Sequence, residues 1–149
     1  MLKEIKGNVW DVLNYTTSVC ILTNNTVLEN GNNIMGAGIA KEAKTRNPGL
    51  EKVCGNAILN HYYSLGYDSV SGAEMLRFPT KDKVWEDSEL EIIVESLIRL
   101  KEYCTSNPNK KVYLPRPGCG CGRLDWEEDV KPLCEHYLGE LENIIIISF

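Results

Sequence analysis

The chain has 149 residues, of which 43% are hydrophobic and 25% charged, and it carries a net charge of −5. A chain of this size and composition can bury the core of one globular domain without disulfides or metals, and no apolar run is long enough to span a membrane. The N-terminus lacks the pattern of a secretory signal, so we expect the protein to be cytoplasmic. The acidic balance argues against a broad basic face for nucleic acid. We expect a single domain over residues 1–149 that is a monomer and has no membrane partner.

The first half of the chain predicts strands alternating with helices. Alternating apolar and polar residues over Leu2–Lys6 are typical of a half-buried strand, and Ser18–Leu22 predicts a second one. A polar loop over residues 23–33 leads into a helix that begins at Ile39. That helix is broken by the Asn-Pro-Gly run at 47–49, and the remaining elements are a helix over Leu50–Tyr63 and a loop over Gly66–Gly72.

The second half of the chain continues the alternation. Its predicted elements are a strand over Glu74–Phe78 stopped by Pro79, a helix with a Ser88/Glu91 capping box, a strand over Lys111–Leu114, a helix whose first turn lies near Glu128, and a last strand over Asn143–Phe149. The four consecutive isoleucines of that last strand indicate burial on both faces. Together the elements predict an α/β domain with helices on both sides of a mostly parallel or mixed sheet.

Two glycine-rich loops, Met35–Ala40 and Gly118–Gly122, each run into a helical pattern. Glycines allow main-chain N–H groups to approach phosphate oxygens, and the start of a helix adds unpaired donors, so the two loops suggest a cradle for a diphosphate. The first loop lacks the third glycine and the later acidic residue of a dinucleotide-binding fingerprint. The sequence also lacks the phosphate loop of kinases and ATPases and the Gly-x-Ser-x-Gly turn of serine hydrolases.

The six cysteines are spread over predicted strands, helices and a loop, with no CxxC pair. We interpret them as reduced thiols. Cys119, Cys121 and Cys134 are the only set that suggests zinc, and their spacing is not typical of zinc frameworks. No metal and no cofactor is therefore expected.

Three segments, in order, resemble macrodomains, the modules that bind ADP-ribose. They are Lys6–Val9, Ile34–Lys41 and Leu114–Trp126, and the resemblance extends over nearly the whole chain. It implies a three-layer α/β/α macrodomain with a mixed central sheet. The Met-Gly-x-Gly-Ile-Ala run and the Phe-Pro-Thr-Lys run at 78–81 are most similar to the terminal ADP-ribose glycohydrolases, including antitoxins that remove ADP-ribose from thymine in DNA.

The resemblance implies a set of ligand-binding positions. They are Asn8, Val9, Asn25, Met35, Gly36, Ala37, Gly38, Ile39, Pro117, Gly118, Cys119, Gly120, Cys121 and Gly122. Asn8 stands where many macrodomains have an aspartate that accepts a hydrogen bond from adenine, and its amide oxygen can still accept one. Val9 is equally well explained as a core residue, and turn formation explains Asn24 or Asn25 as well as contact with the distal ribose does.

Lys81 falls on the catalytic lysine of that branch. An unprotonated amine can act as a nucleophile at the anomeric carbon of the distal ribose and form a ring-opened adduct. The alternative is an exposed loop lysine that at most pairs with a ligand phosphate. Human-type members place an acidic partner where this chain has Gly122, and Asp125 is better explained as a helix cap than as its substitute.

The resemblance implies an enzyme that hydrolyses ADP-ribosyl linkages on a protein or nucleic-acid acceptor. Removal of phosphate from ADP-ribose 1″-phosphate would use the same pocket, and a module that binds ADP-ribose without turnover is the alternative from a different class. Trp85 and Trp126 follow the Lys81 loop and the second glycine loop, and we expect both to pack in the core rather than to shield the ligand.

Overall fold

Six strands form one mixed sheet in the computed structural model of the chain, which describes residues 1–149. The strands are β1 (Lys3–Lys6), β2 (Thr17–Thr23), β3 (Ser64–Tyr67), β4 (Glu74–Pro79), β5 (Lys111–Pro115) and β6 (Ile144–Ser148). The helices are α1 (Val9–Val12), α2 (Gly38–Arg46), α3 (Leu50–Asn60), α4 (Leu90–Ser106) and α5 (Lys131–Leu138), and a single π-helical turn at Trp126–Val130 precedes α5. None of the helices has the length and apolar content needed to cross a membrane.

The strand order across the sheet is β1-β6-β5-β2-β4-β3, and only the β3–β4 pair is antiparallel. The isoleucine strand β6 lies between β1 and β5, inside the sheet as its apolar sequence predicted. Strand β1 forms an edge and all four of its residues are exposed, so the prediction of a half-buried strand was wrong there. The buried residue of that segment is Leu2, which precedes the strand.

Helices cover both faces of the sheet. Residues of α1, α2 and α3 pack in one apolar cluster with one face of β2 and β4, and residues of α4 and α5 pack in a second cluster on the opposite face. The side chains of β2 show the division, since Val19 and Ile21 belong to the first cluster and Cys20 to the second. The predicted layer arrangement, helices on each side of a mixed sheet, is therefore confirmed.

Three element boundaries differ from the prediction. Helix α3 ends at Asn60 rather than Tyr63, because His61 takes a left-handed conformation with φ of 60° and its N–H closes the helix. The predicted loop at 66–72 begins two residues too early, since Gly66 and Tyr67 belong to β3, a strand that was not predicted from the sequence. Ser88 does not cap α4: Glu89 holds the cap position, and the Ser88 hydroxyl makes no hydrogen bond.

Candidate functional site

A cleft of about 240 Å³ lies where the parallel strands β2, β4 and β5 end. In open α/β sheets the carboxyl ends of parallel strands are the usual place for a ligand, because the loops that follow them converge there. The residues that line the cleft come from four such segments. They are Leu22, Thr23, Asn24, Ile34, Gly36, Ala37, Gly38, Ile39, Ala40, Thr80, Lys81, Val84, Ser88, Gly118, Gly120, Cys121 and Gly122.

The first glycine loop delivers the start of α2 to the cleft. Ala37 holds the cap position and has no side chain that could satisfy the first N–H groups of the helix. The main-chain N–H groups from Gly36 to Ala40 make no hydrogen bond within the chain. Gly38 adopts a φ of 57°, which glycine accepts without strain, and Met35 is buried beneath the loop and anchors it in the core.

The second glycine loop is closed by main-chain hydrogen bonds at its ends. Leu124 N donates to Gly118 O over 2.9 Å and Arg123 N donates to Gly120 O over 3.2 Å. Between these ends the N–H groups of residues 119–122 make no hydrogen bond within the chain. Successive unpaired N–H groups in a turn are the donors from which proteins build anion-binding concavities.

Lys81 lies on the wall of the cleft, to which both glycine loops also contribute. The main chain around it is fixed on both sides: Thr80 N donates to Thr23 O, and Asn25 N donates to Asp82 O, each over 2.9 Å. The Lys81 ammonium makes no ion pair or hydrogen bond with the chain. Asp82 instead lies 3.9 Å from the amine of Lys83, and both of those side chains are about half exposed.

Two hydroxyl groups on the cleft lining are buried and have no partner. They are Thr23 Oγ1 and Ser88 Oγ, which make up two of the four buried side-chain polar atoms without a hydrogen bond in the molecule. An unsatisfied buried hydroxyl is costly, so each of these groups calls for a partner that the chain does not supply, such as an ordered water or a ligand. Ser88 is held in place by its own N–H, which donates to Gly122 O over 3.1 Å.

The cleft brings together nine of the predicted site residues and leaves six outside its lining. The nine are Gly36, Ala37, Gly38, Ile39, Lys81, Gly118, Gly120, Cys121 and Gly122. The six are Asn8, Val9, Asn25, Met35, Pro117 and Cys119. Asn8 caps α1 by accepting a hydrogen bond from Trp10 N over 3.1 Å, and Val9 and Met35 are buried in the core.

The two adjacent asparagines have different surroundings. Asn24 lines the cleft, but its side chain is occupied: it donates to Ile34 O over 2.9 Å and accepts from Asn33 over 2.8 Å. These bonds hold the polar loop that carries the first glycine turn. Asn25 lines a different cavity on the other side of the β2 and β4 ends.

The thiols of the second glycine loop are not part of a cluster of potential metal ligands. All six cysteines are free, and no group of three His, Cys, Asp or Glu side chains lies close enough to hold a metal ion. Burial raises the pKa of Cys119 to about 11, so its thiol stays protonated and unreactive at neutral pH. Its Sγ donates to Pro117 O over 3.3 Å and helps to shape the loop.

Sequence reasoning missed several residues of the lining. Thr23, Thr80 and Ser88 supply its hydroxyls, and Val84 and Ile34 supply apolar wall. Thr23 and Thr80 do carry a signal, because each stands at or just after the end of a predicted strand. Ser88 carries the wrong signal, since a serine three residues before a glutamate predicts a helix cap.

The aromatic and acidic residues beside the loops divide between core and surface. Trp126 is buried, and its indole N–H donates to Glu4 over 3.1 Å. Trp85 is 75% exposed, so the prediction that it packs in the core was wrong. Asp125 accepts a hydrogen bond from Glu128 N over 2.7 Å and caps the π-helical turn.

Comparison with known proteins finds a human relative and several solved structures that are similar to the chain. The human ADP-ribose glycohydrolase OARD1 is 31% identical over 96 residues, which are 62% of this chain and 60% of that protein. No protein-family model matches the chain. Among solved structures, the macrodomain of Thermus aquaticus DarG has a TM-score of 0.78 at 22% identity, with 100% of this chain and 97% of that one covered.

A further solved structure, Thermosipho africanus DarTG in complex with ADP-ribose, has a TM-score of 0.77 at 23% identity and covers 99% of this chain and 42% of that one. Full coverage at these scores assigns the macrodomain fold. The resemblance to macrodomains in the sequence is thereby confirmed.

Proposed function

From the premise that this chain has the macrodomain fold, we propose that the cleft binds ADP-ribose and that the protein hydrolyses an ADP-ribosyl linkage. One observation carries the proposal: two runs of unpaired main-chain N–H groups, from Gly36 onward and at residues 119–122, belong to two loops that line the same cleft. A diphosphate bridge supplies the oxygen acceptors that these donors lack. Such binding needs no basic side chains, which agrees with the acidic balance of the chain.

Lys81 supplies the chemistry in this proposal. With ADP-ribose held by the two loops, the bond between the distal ribose and its acceptor lies toward the wall that carries Lys81. The unprotonated amine adds to the anomeric carbon, the carbon–acceptor bond breaks, and the acceptor leaves with a proton. The bond between the anomeric carbon and the ring oxygen then breaks, the ring oxygen takes the remaining amine proton, and an imine joins Lys81 to the opened ribose. Water hydrolyses this imine, which releases ADP-ribose and restores the amine. The absence of a bonded carboxylate on Lys81 leaves its nitrogen free for this role.

The human relative is named an ADP-ribose glycohydrolase, and the Thermosipho structure holds ADP-ribose. Both support this activity class over other uses of a diphosphate cleft. The matched segment spans about 60% of the human relative, so the acceptor is a separate part of the proposal. We propose ADP-ribosylated nucleic acid or protein as the acceptor class.

The test compares wild type with Lys81→Ala in two measurements. Calorimetric titration with ADP-ribose should give binding for both proteins, and only wild type should release ADP-ribose from ADP-ribosylated DNA or protein. Lys83→Ala is the matched control, because Lys83 lies two residues away, pairs with Asp82 and does not line the cleft. Absence of ADP-ribose binding to wild type would refute the proposal as a whole.

A binding module without turnover is the second candidate, and Gly122 favours it because that position offers no acidic side chain. Incubation with ADP-ribosylated DNA, ADP-ribosylated protein and ADP-ribose 1″-phosphate separates the alternatives. Binding without turnover on any of the three assigns the module, whereas phosphate release from the third alone assigns a phosphatase.

A further inference from the structure

A second cavity, of about 290 Å³, lies on the far side of the β2 and β4 ends from the cleft. Consecutive residues divide between the two spaces: Asn24 and Thr80 line the cleft, whereas Asn25 and Pro79 line the second cavity. The other walls come from the end of α3 and one side of α4. The remaining lining residues are Ile58, His61, Arg77, Ile92, Glu95, Ser96 and Arg99.

The charge in this cavity is opposite to that of the chain. Arg77 and Arg99 contribute two positive charges and Glu95 contributes one negative charge, whereas the whole chain carries −5. Neither guanidinium lies within ion-pair distance of a carboxylate, Glu95 included. The cavity therefore concentrates unneutralised positive charge on an acidic protein.

Arg77 is the unusual residue of the cavity. It is only 5% exposed, and its guanidinium makes one hydrogen bond, from Nε to Tyr62 O over 3.2 Å. The two terminal nitrogens, with four N–H donors, bond nothing in the chain. Burial lowers the pKa of Arg77, and the nearby charge of Arg99 lowers it further, so both effects oppose the charged form that an anion would stabilise.

The Arg99 side chain is held in place by an aromatic ring. Its guanidinium carbon lies 5.4 Å from the centre of the Tyr63 ring, an arrangement that fixes the side chain beside the cavity without neutralising it. The Ser96 hydroxyl is already used, since it donates to Pro79 O over 2.6 Å. The donors left for a ligand are therefore the two guanidinium groups, the His61 imidazole and the Asn25 side-chain amide.

We propose that this second cavity is a phosphate-binding site in which Arg77 and Arg99 hold the oxyanion, with His61 at its edge. Planar guanidinium groups match the oxygens of a phosphate, and here two of them line the same cavity without a carboxylate partner. The proposal does not depend on ADP-ribose being the ligand of the cleft. The site accepts either a free or terminal phosphate or the phosphodiester of a nucleic acid strand.

The test is a titration of the 15N-labelled protein with inorganic phosphate, and separately with thymidylyl-(3′→5′)-thymidine, followed by NMR. Both are repeated with the cleft saturated by ADP-ribose. The amides of Asn25, His61 and Arg99 should shift whether or not the cleft is filled. Shifts from the phosphate alone assign a terminal phosphate as the ligand, and shifts from the dinucleotide assign a diester.

Variants separate charge from folding. Arg99→Gln should weaken phosphate binding about tenfold or more, because it removes a charge-assisted hydrogen bond donor. Lys101→Gln, the same charge change on the same helix but outside the cavity, should leave binding unchanged. Glu95→Gln should tighten binding several-fold, which a structural defect would not do.

Equal affinities for Arg99→Gln and Lys101→Gln, or no shift of these amides with either probe, would overturn the proposal. Failure of ADP-ribose to bind the cleft leaves these readouts intact and bears on the proposed function alone.

Discussion

Ser88 and Gly122 act as a pair at the wall of the cleft. Ser88 N donates to Gly122 O, and the Ser88 hydroxyl lies where a side chain on residue 122 would begin. A Cβ there would overlap Ser88 Oγ and would come within 2.6 Å of Gly118 O. The space that a side chain at residue 122 would fill is thus occupied by the Ser88 hydroxyl, and that hydroxyl has no hydrogen-bond partner.

Ser88→Ala should separate stability from binding. The buried hydroxyl has no hydrogen bond, so its removal should leave the free energy of unfolding unchanged or raise it by up to about 1 kcal/mol. Under the proposed function, ADP-ribose affinity should fall about fivefold or more, because a donor to the ligand is lost. Calorimetry and denaturant unfolding measure the two effects.

Ser96→Ala is the matched control for that substitution. Ser96 is also buried, but its hydroxyl donates to Pro79 O over 2.6 Å. Its loss should therefore cost about 1 kcal/mol of stability. If Ser88→Ala lost as much stability as Ser96→Ala, the Ser88 hydroxyl would be bonded within the free protein, and the expectation that it bonds only a ligand would be contradicted.

Two glycines of the same loop should respond differently to alanine. Gly122→Ala should lower the free energy of unfolding by about 1–3 kcal/mol, because the added methyl meets Ser88 and the main chain of Gly118. Gly120→Ala should cost little, since nothing lies within 4 Å of the position of its added methyl. Thermal unfolding of the two variants makes the comparison, and equal losses would show that the loop adapts to either methyl.

At the scale of elements, the end of α2 is tied to the β3–β4 turn through one buried carboxylate. Arg46 bonds Asp68 with two nitrogens, over 3.1 and 2.8 Å, and Asn47 adds a third bond over 2.9 Å. Ser71 in the same turn donates to the carboxylate through its main chain and its hydroxyl. Because α2 begins at the first glycine loop, this cluster also fixes the far end of the helix that carries half of the cleft.

The cluster predicts a loss of stability in acid. Burial alone raises the pKa of Asp68, but the hydrogen bonds from Arg46, Ser71 and Asn47 outweigh it and hold that pKa well below its usual range. The folded pKa thus lies below the unfolded value of about 4, so the stabilisation is complete above pH about 4 and is lost as the pH falls toward the folded value. Denaturant unfolding between neutral pH and pH about 2 should show this decline.

Asp68→Asn should lower the free energy of unfolding at neutral pH by about 3 kcal/mol, because it leaves Arg46 without its partner. It should also flatten the acid decline. Glu142→Gln is the control, since Glu142 pairs with Lys3 at the surface, where ion pairs contribute little. An acid decline of the same slope in Asp68→Asn and wild type would assign the titration to other carboxylates.

Local patterns predicted most elements, and the misses have physical causes. Helices α2 and α4 and strand β6 follow from periodicity and breakers, because each buries a face that its own sequence defines. The wrong predictions depend on neighbouring segments. Strand β1 is exposed because it lies at the edge of the sheet, and Ser88 does not cap α4 because its N–H is bonded to Gly122 O of another loop. No local pattern could place Asn25 and Asn24 on opposite sides of a strand end.

The parts of the candidate site that the main chain forms could be predicted from the sequence, whereas the parts that side chains form could not. Glycine spacing predicted both loops because it reports main-chain conformation directly. The hydroxyls of Thr23 and Ser88 reach the cleft only through tertiary packing. The Arg77 and Arg99 cavity joins β4 to α4, which are adjacent along the chain but show no shared motif in sequence.

On the scale of the whole molecule, the sheet separates two apolar clusters, and the cleft draws on both. The first glycine loop rests on Met35 and Ile39 of the cluster beneath α1–α3. The second rests on the α4–α5 cluster, where Leu124 and Cys119 pack against its edge. A diphosphate bound by both loops therefore links the two halves of the core through the ligand.

Although the ligand links the two halves, the stabilisation that it adds should be independent of core defects that lie far from the cleft. ADP-ribose at one hundred times its dissociation constant should add about 2.7 kcal/mol to the free energy of unfolding. Leu138→Ala, a fully buried residue at the end of α5 remote from the cleft, should lower that free energy by about 3 kcal/mol, because it leaves a cavity in the core. The increment from ADP-ribose should be the same in both proteins, since distant sites contribute additively. Thermal unfolding with and without ADP-ribose measures both terms, and an increment that vanished in Leu138→Ala would mean that the cleft forms only when the α4–α5 half is fully packed.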